Sequence, residues 1–203
     1  MNEKIELTFD RVLRSALRQD PDVVLVGEMR DEKTVETGLR AAMTGHMVFS
    51  TLHTNDAVST PVRLLDMGAP RYMVALSLQL VIAQRLLRVI CESCTEDYQP
   101  LPGEHEWLRS ELGDQVDQFK YKQGRGCSYC NGTGFVGRTG VYEMLEMTKP
   151  VVEAANNDDV RQFMKIAREQ IGRRTLRHHA AQLAASGKTS PNEAMRVSSQ
   201  LAD

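Results

Sequence analysis

Two pairs of cysteines have the spacing of a metal site. Cys91 and Cys94 form one C-x-x-C sequence, Cys127 and Cys130 form another, and 32 residues separate the pairs. Each such turn supplies two thiolate ligands, and two turns complete a tetrahedral Zn²⁺ site. Disulfides are the alternative, although a reducing compartment disfavours them. Four thiolates leave no open coordination position, so the pattern predicts a structural rather than a catalytic zinc site.

A second chemical candidate is the carboxylate of Glu28. It follows the apolar run Val23–Val26 and Gly27, and the breaker Asp20–Pro21 precedes that run. A short apolar run between turn signals is typical of a parallel strand covered on both faces. Ligands of open α/β sheets bind beyond the carboxyl ends of such strands. The pattern therefore places Glu28 at a functional edge or, in the simpler alternative, makes it the first residue of an ordinary loop.

Two histidines flank the next apolar run, Met47–Thr51. His46 precedes this run and His53 follows it. They differ by an odd number of positions, so on a regular strand they point to opposite faces and are poor ligands for one metal ion. A lone histidine is most simply a satisfied polar residue.

The elements around these residues follow the strand–helix–strand order of a parallel sheet. Asp31 can cap a helix that runs to about Met43, where Thr44–Gly45 stops it. After the second strand, Asn55–Asp56 can cap another helix. From Arg71 to about Arg88 the leucines predict one long core helix, which polar residues interrupt too often for it to span a bilayer.

One segment imitates a phosphate-binding loop. Gly132–Thr139 nearly matches the pattern G-x-x-x-x-G-K-[ST], with Arg138 in the lysine position. A loop of that kind joins a buried strand to a helix. Here a cysteine pair precedes it and the strand-like run Val141–Leu145 follows it, so we reject this segment as a phosphate cradle. No other segment of the sequence fits the pattern.

The longest motif in the sequence resembles a known family. The stretch LRQDPDVVLVGEMRDEKTVETGLRAAMTGHMVFSTLHTNDA, Leu17 to Ala57, is similar to the atypical Walker B and histidine boxes of the secretion-superfamily ATPases. These are the hexameric motors of type II secretion and type IV pilus assembly. The two cysteine pairs narrow the resemblance to the secretion and pilus-extension branch, because the similar retraction motors lack that insert. From about Leu7 onward the chain resembles the C-terminal portion of this family, whose P-loop lies upstream.

The resemblance implies an α/β fold: the C-terminal half of a RecA-like P-loop NTPase domain, with an inserted tetracysteine zinc subdomain and a helical C-terminal tail. The implied boundaries are 1–90 for the ATPase core, 91–140 for the zinc subdomain and 141–203 for a return strand and the tail. In the tail, Ser190 is predicted to cap a final helix that begins with Pro191.

The resemblance also implies roles for the site residues. Glu28 polarises the attacking water as general base, and His53 faces the γ-phosphate of ATP. Gly27 takes the position of the usual Walker B aspartate, so Mg²⁺ is held through water or by upstream residues. Arg30 and Asp31 steady the loop after Glu28. The implied nucleotide-binding set is Gly27, Arg30, Asp31 and His46, of which the last organises the neighbouring loop.

For the full-length parent, the resemblance implies ATP and Mg²⁺, a homo-hexamer, inner-membrane platform proteins as partners, and a cytoplasmic location peripheral to the inner membrane. The isolated chain, without a Walker A motif, is expected to be inactive. The N-terminus lacks an apolar signal segment, which also favours the cytosol. A formal net charge of −2 argues against a protein that chiefly binds nucleic acid. Two alternatives from other classes are a zinc-ribbon module that binds nucleic acid and a stand-alone interaction domain without catalysis.

Overall fold

The computed structural model describes residues 8–199. Its helices are α1 (Phe9–Leu17), α2 (Glu32–Met43), α3 (Ser59–Asp66), α4 (Arg71–Ser77), α5 (Pro102–Leu112), α6 (Lys149–Asn156), α7 (Val160–Ile171), α8 (Leu176–Ala185) and α9 (Pro191–Ser199). Its strands are β1 (Val23–Val26), β2 (Met47–Ser50), β3 (Leu80–Ile90), β4 (Thr95–Asp97), β5 (Lys122–Gly124) and β6 (Phe135–Glu146). Short 3-10 turns lie at Glu92–Cys94 and Gly113–Gln118.

These elements form two compact units. Of the described residues, the first unit contains 8–81 together with Leu145–Gln170, and the second contains Ile82–Met144 together with 171–199. The α/β class is as expected. The three-part division inferred from the sequence stays a prediction.

The first unit contains a pair of parallel strands. β1 pairs with β2 over all four residues of each strand. The predicted helix between them is α2, and Asp31 caps it by accepting a hydrogen bond from Thr34 N at 2.9 Å. The helix ends at Met43. The predicted strand–helix–strand unit is confirmed.

One face of β1 is buried and the other is exposed. Val24 and Val26 join Val35 of α2 in one core cluster. Val23 and Leu25, on the opposite face, are 58% and 74% exposed. The expectation of a strand covered on both faces is therefore wrong for the part of the chain that the structure describes.

The predicted long helix from Arg71 to Arg88 is also wrong. The chain is helical only as far as Ser77, and Leu80–Ile90 forms strand β3, which pairs with β6. Four of the eleven residues of β3 are β-branched, which favours a strand. Its burial alternates, with Val81 and Ala83 buried and the residue between them exposed. The spacing of the leucines is compatible with a helix or a strand. The strand forms because pairing with β6 satisfies the backbone hydrogen-bonding groups of both segments.

The second unit joins the cysteine-bearing segment to the last two helices. Helix α5 packs against α8 and α9. Glu111 of α5 forms an ion pair with Arg177 of α8 at 3.0 Å. The Nδ1 atom of His178 lies 2.9 Å from the carbonyl oxygen of Glu111. Leu108 and Val116 are fully buried, so the segment between the cysteine pairs contributes its own apolar residues to this unit.

The tail is helical, as predicted: its described residues from Lys149 to Ser199 form α6, α7, α8 and α9 with short connections. Pro191 is the first residue of α9, and Ser190 Oγ accepts a hydrogen bond from Glu193 N at 3.2 Å, so the predicted cap is confirmed. None of the helices within residues 8–199 is long and apolar enough to cross a membrane.

The segment that imitates a phosphate-binding loop does not lead into a helix. Gly132–Thr139 consists of a turn and the beginning of β6. Thr133 Oγ1 donates to the carbonyl oxygen of Cys130 at 2.7 Å, which ties the segment to the preceding cysteine turn. A phosphate cradle requires a helix N-terminus that is absent here, so the structure agrees with the rejection of this segment.

Candidate functional site

A pocket of about 210 Å³ lies beyond the carboxyl ends of β1 and β2. Both predicted catalytic residues line it, together with one predicted nucleotide-binding residue. The lining consists of Glu28, Met29, Arg30, Leu52, His53, Arg63 and Met67. A pocket therefore lies at the carboxyl edge of the sheet, where the sequence analysis placed Glu28.

Hydrogen bonds just past the two strands bring Glu28 and His53 to this pocket. Met29 N donates to Thr51 O at 3.1 Å, and Thr51 Oγ1 donates to Gly27 O at 2.6 Å. Because these bonds lie on either side of Glu28, they fix the backbone from which its carboxylate projects. His53 follows two residues after Thr51, and its Nε2 atom lies 3.5 Å from Glu28 Oε2.

The carboxylate of Glu28 is held in its charged form. Arg30 Nη2 lies 2.5 Å from Glu28 Oε1. The hydrogen bond from Arg30 lowers the pKa of Glu28 below its usual 4.5; partial burial opposes this shift, and attraction to His53 supports it. Glu28 is 24% exposed, whereas Arg30 is 70% and His53 93% exposed. Solvent screens such pairs, so they contribute little to stability, and their effect is to keep an ionised acceptor at the pocket.

The other predicted nucleotide-binding residues lie outside the pocket lining. Asp31 is engaged as the cap of α2. His46 Nδ1 lies 3.1 Å from Ala41 O and 3.2 Å from Thr44 Oγ1, so it secures the C-terminal end of α2. A Cβ atom at Gly27 would meet nothing within 4 Å, so packing among the described residues does not require glycine there. The roles of these three residues toward nucleotide stay predictions.

Arg63 is a pocket residue that the sequence analysis missed. It lies on α3, which begins after His53, where Asp56 Oδ1 accepts a hydrogen bond from Ser59 N at 2.7 Å. Asn55–Asp56 indicated a helix after His53, but the N-cap residue of α3 is Val58, which makes no side-chain cap, and no local pattern indicated that Arg63 lines the pocket. Together with Arg30 it gives the pocket two guanidinium groups, the side-chain type best suited to phosphate oxygens.

The four cysteines form a candidate metal centre. Their Sγ atoms all lie within 4.8 Å of one another. The distances are 3.9 Å for Cys91–Cys127, 3.8 Å for Cys94–Cys130 and 3.7 Å for Cys127–Cys130. Thiolates about 2.3 Å from a tetrahedral Zn²⁺ ion lie about 3.8 Å apart, whereas disulfide sulfurs are about 2.05 Å apart. The predicted gathering of the cysteines is confirmed, and their spacing fits a tetrahedral metal ion.

Backbone amides adjust the protonation of these thiols. Burial acts to raise the pKa of Cys130, but the N–H groups of Cys127 and Gly134, each 3.2 Å from its sulfur, together with hydrogen bonds from the Cys127 and Cys94 thiols, outweigh burial and lower the pKa to about 6. Burial raises the pKa of Cys94 to about 12. A metal ion must displace protons from the remaining thiols, so its affinity for this cluster rises with pH.

Close contact between two backbone segments shapes the second cysteine turn. A Cβ atom at Gly124 would lie 2.0 Å from Gly134 O, and one at Gly134 would lie 2.3 Å from Gly124 O. Gly134 also has a φ of 75°, in the left-handed region. Its carbonyl oxygen accepts a hydrogen bond from Cys91 N at 2.9 Å. Gly134 therefore links the two cysteine turns in a position that no larger residue could occupy.

Comparison with known proteins identifies a family and several relatives. Residues 1–196 match the family described as "Type II/IV secretion system protein". The type II secretion system protein E of Pseudomonas aeruginosa is 38% identical over 197 residues, which are 97% of this chain and 38% of that protein. The type IV pilus assembly ATPase PilB of the same organism is 39% identical over 97% of this chain and 34% of its own length. The type II secretion system ATPase E of Vibrio cholerae is 37% identical over 98% of this chain and 39% of its own length. The chain thus spans a little over a third of these relatives.

Solved structures share the fold. The structure of the pilus retraction motor PilT with bound ADP matches with a TM-score of 0.62 and 30% identity, over 94% of this chain and 43% of that one. The Legionella pneumophila ATPase DotB matches with a TM-score of 0.65 and 20% identity, over 96% of this chain and 43% of that one. The likeness to DotB concerns the fold alone.

Replacing Arg30 with Gln should raise the pKa of Glu28 toward 4.5, because the guanidinium group stabilises the carboxylate. The measurement is an NMR titration of the Glu28 carboxyl carbon. Arg40→Gln is the matched control: Arg40 is also exposed and hydrogen-bonded to a glutamate, Glu36, and its loss should leave the pKa of Glu28 unchanged. The same Glu28 pKa in wild type and Arg30→Gln would contradict the assignment.

Proposed function

Because this chain belongs to the type II/IV secretion system protein family, as its motifs indicated, we propose that it is the C-terminal portion of a motor ATPase that powers type IV pilus assembly or type II secretion. The observation that carries the proposal is the meeting of Glu28 and His53 in one pocket at the carboxyl ends of two parallel strands. Relatives named as ATPases of both systems support it.

In the proposed reaction Glu28 is the general base. Its ionised carboxylate accepts a hydrogen bond from the attacking water and takes the proton as the new oxygen–phosphorus bond forms and the bond to the ADP oxygen breaks. A carboxylate with a lowered pKa is a weak base, so its main contribution is to orient and polarise the water. Phosphoryl transfer needs little more than this, because its transition state is loose and depends on positioning and charge.

The cationic side chains of the pocket would act on the phosphate. His53 and Arg30 are mostly exposed while they contact Glu28, so they can move toward a phosphate group as negative charge develops on it. Arg63, on α3, adds a second guanidinium group to the pocket lining. When a phosphate group binds, Arg30 and His53 would give up their contacts with the Glu28 carboxylate and contact the phosphate oxygens instead.

Mg²⁺ would neutralise charge on the phosphates of ATP. Glu28 is the single carboxylate among the residues that line the pocket. Gly27, in the position where an aspartate is usual, offers no side chain. We therefore propose that Mg²⁺ depends on the phosphates, on water and on residues outside this chain.

The phosphate cradle would also come from outside this chain. P-loop enzymes hold the phosphates with backbone amides and a lysine, and the 203-residue sequence contains no G-x-x-x-x-G-K-[ST] segment. The chain matches a little over a third of the length of its relatives. We propose that the chain alone does not hydrolyse ATP.

We propose that the cysteine cluster holds a structural Zn²⁺ ion. Cys91, Cys94, Cys127 and Cys130 would fill all four positions of a tetrahedral site, which leaves none for a substrate. Binding such an ion stabilises the folded form, since the unfolded chain has no preformed site.

The complete protein is proposed to work as a homo-hexamer on the cytoplasmic side of the inner membrane, against platform proteins of the pilus or secretion machine. The resemblance of the sequence to hexameric motors is the support for this part. Nucleic acid is not an expected partner, and the net charge of −2 favours that view.

The purified, reduced chain should contain about one zinc ion per chain, because four gathered thiols of this spacing match one tetrahedral ion. Elemental analysis gives the content. Serine in place of any one cysteine should lower it and speed hydrogen exchange first within residues 91–130. A folded, reduced sample without bound metal would remove the zinc site from the proposal.

In the full-length parent, Glu28→Gln should preserve ATP binding and lower turnover by roughly 10²- to 10⁴-fold, the usual contribution of a general base. Phosphate release at saturating ATP measures this. Glu36→Gln, which alters a partly exposed glutamate of α2 paired with Arg40, should keep the parental rate. If Glu28→Gln also kept that rate, Glu28 would be an ordinary loop residue.

A further inference from the structure

The chain segment between α8 and α9 is bonded to the end of β3, directly before the first cysteine turn. Ile90 N donates to Lys188 O at 3.1 Å. Thr189 Oγ1 donates to Arg88 O at 2.8 Å. The last of these bonds lies one residue before Cys91, so the segment that leads into α9 holds the end of the strand that Cys91 follows.

Glu193, in the first turn of α9, completes this attachment. Its side chain is fully buried. Its Oε1 accepts from Arg88 N at 3.1 Å and its Oε2 accepts from Arg88 Nη2 at 2.7 Å. Arg196 also donates to both oxygens: its Nη2 to Oε1 at 2.9 Å and its Nε to Oε2 at 3.0 Å. Burial acts to raise the pKa of Glu193, but the hydrogen bonds from Arg196 and Arg88 outweigh it and lower the pKa to about 2.

Arg88 also contacts the strand that leaves the second cysteine turn. Its guanidinium carbon lies 4.2 Å from the centre of the Phe135 ring, a cation–π contact. Phe135 is the first residue of β6 and follows Gly134, whose carbonyl oxygen accepts from Cys91 N. Arg88 therefore touches both strands that bear the cysteine turns, and Glu193 holds the Arg88 side chain at that place.

We propose that Glu193 is a positioning residue for the metal centre: through Arg88 it holds the ends of β3 and β6 so that the four cysteine sulfurs stand at metal-binding distance. The inference rests on the proposed metal site. An ion that binds four prearranged thiols does not have to order them, and removal of the arrangement therefore weakens binding. Glutamine at position 193 keeps the shape but loses the charge that two guanidinium groups require.

The chain offers a matched control in Glu143. This residue of β6 is also a buried carboxylate in the same unit, 6% exposed, and it also accepts a backbone hydrogen bond, from Leu176 N at 3.2 Å. Glu143→Gln makes the same chemical change in a similar environment without touching Arg88. Any general effect of neutralising a buried carboxylate should appear in both variants.

The experiment compares metal affinity in wild type, Glu193→Gln and Glu143→Gln by competition for Zn²⁺ with a chromogenic chelator. We expect about a tenfold loss for Glu193→Gln, at the lower end of the effect of groups that orient metal ligands, and a change of less than about twofold for Glu143→Gln, which leaves those ligands alone. The Co²⁺-substituted protein gives a second readout, because its visible bands report ligand geometry and should shift only in Glu193→Gln. Arg88→Gln, at a side chain that is 46% exposed, should reproduce both effects if Glu193→Gln fails to fold.

The inference would be overturned, with the metal site left intact, if the folded variant matched wild type in both Zn²⁺ affinity and Co²⁺ spectrum. This applies to whichever of Glu193→Gln and Arg88→Gln folds. Equal losses in the Glu193 and Glu143 variants would overturn it too, since the effect would then be one of general stability. A wild-type chain that binds no metal would instead remove the proposed metal site, and this inference with it.

Discussion

The parallel pairing of β1 with β2 is the constraint on which the candidate catalytic site depends. Each strand has only four residues, and the hydrogen bonds just beyond them join Gly27 and Met29 to Thr51. Those bonds determine where Glu28 and His53 project. A shift of one residue in a strand would turn its side chains to the opposite face and separate the carboxylate from the imidazole. The chemistry proposed for the pocket is therefore a consequence of strand register.

The sequence predicted correctly where neighbouring residues decide the structure. The cap at Asp31, the cap at Ser190 and the two cysteine turns are local features, and all are present. The prediction failed for Leu80–Ile90, because its leucines fit a helix or a strand equally and the decision rests with β6, far along the chain. Arg63 was missed for a related reason, since nothing near it in sequence shows that its helix returns to the pocket.

The exposed face of the first sheet fits the proposal that this chain carries part of a site. Leu25 and Phe49 are 74% and 54% exposed on neighbouring strands. Their apolar character is typical of strands covered on both sides, and an apolar patch of this kind usually marks an interaction surface. The pocket offers the carboxylate of Glu28 and the guanidinium groups of Arg30 and Arg63, and residues 8–199 contain no strand–loop–helix segment of the P-loop pattern. Both features agree with the proposal that these residues form one part of a larger site.

The most direct test of the central claim is to titrate Mg²⁺-ATP into the pure, zinc-loaded 203-residue chain while following the heat of binding and the release of phosphate. Without a cradle, Glu28 and His53 lack the positioning of the phosphate that can be worth about 7 to 11 kcal/mol of the barrier. Neither micromolar binding nor phosphate release is expected from the chain alone. Micromolar binding, or hydrolysis that Glu28→Gln abolishes, would contradict this expectation and would show that a complete nucleotide site, with Gly132–Thr139 as the first segment to examine, lies within this chain.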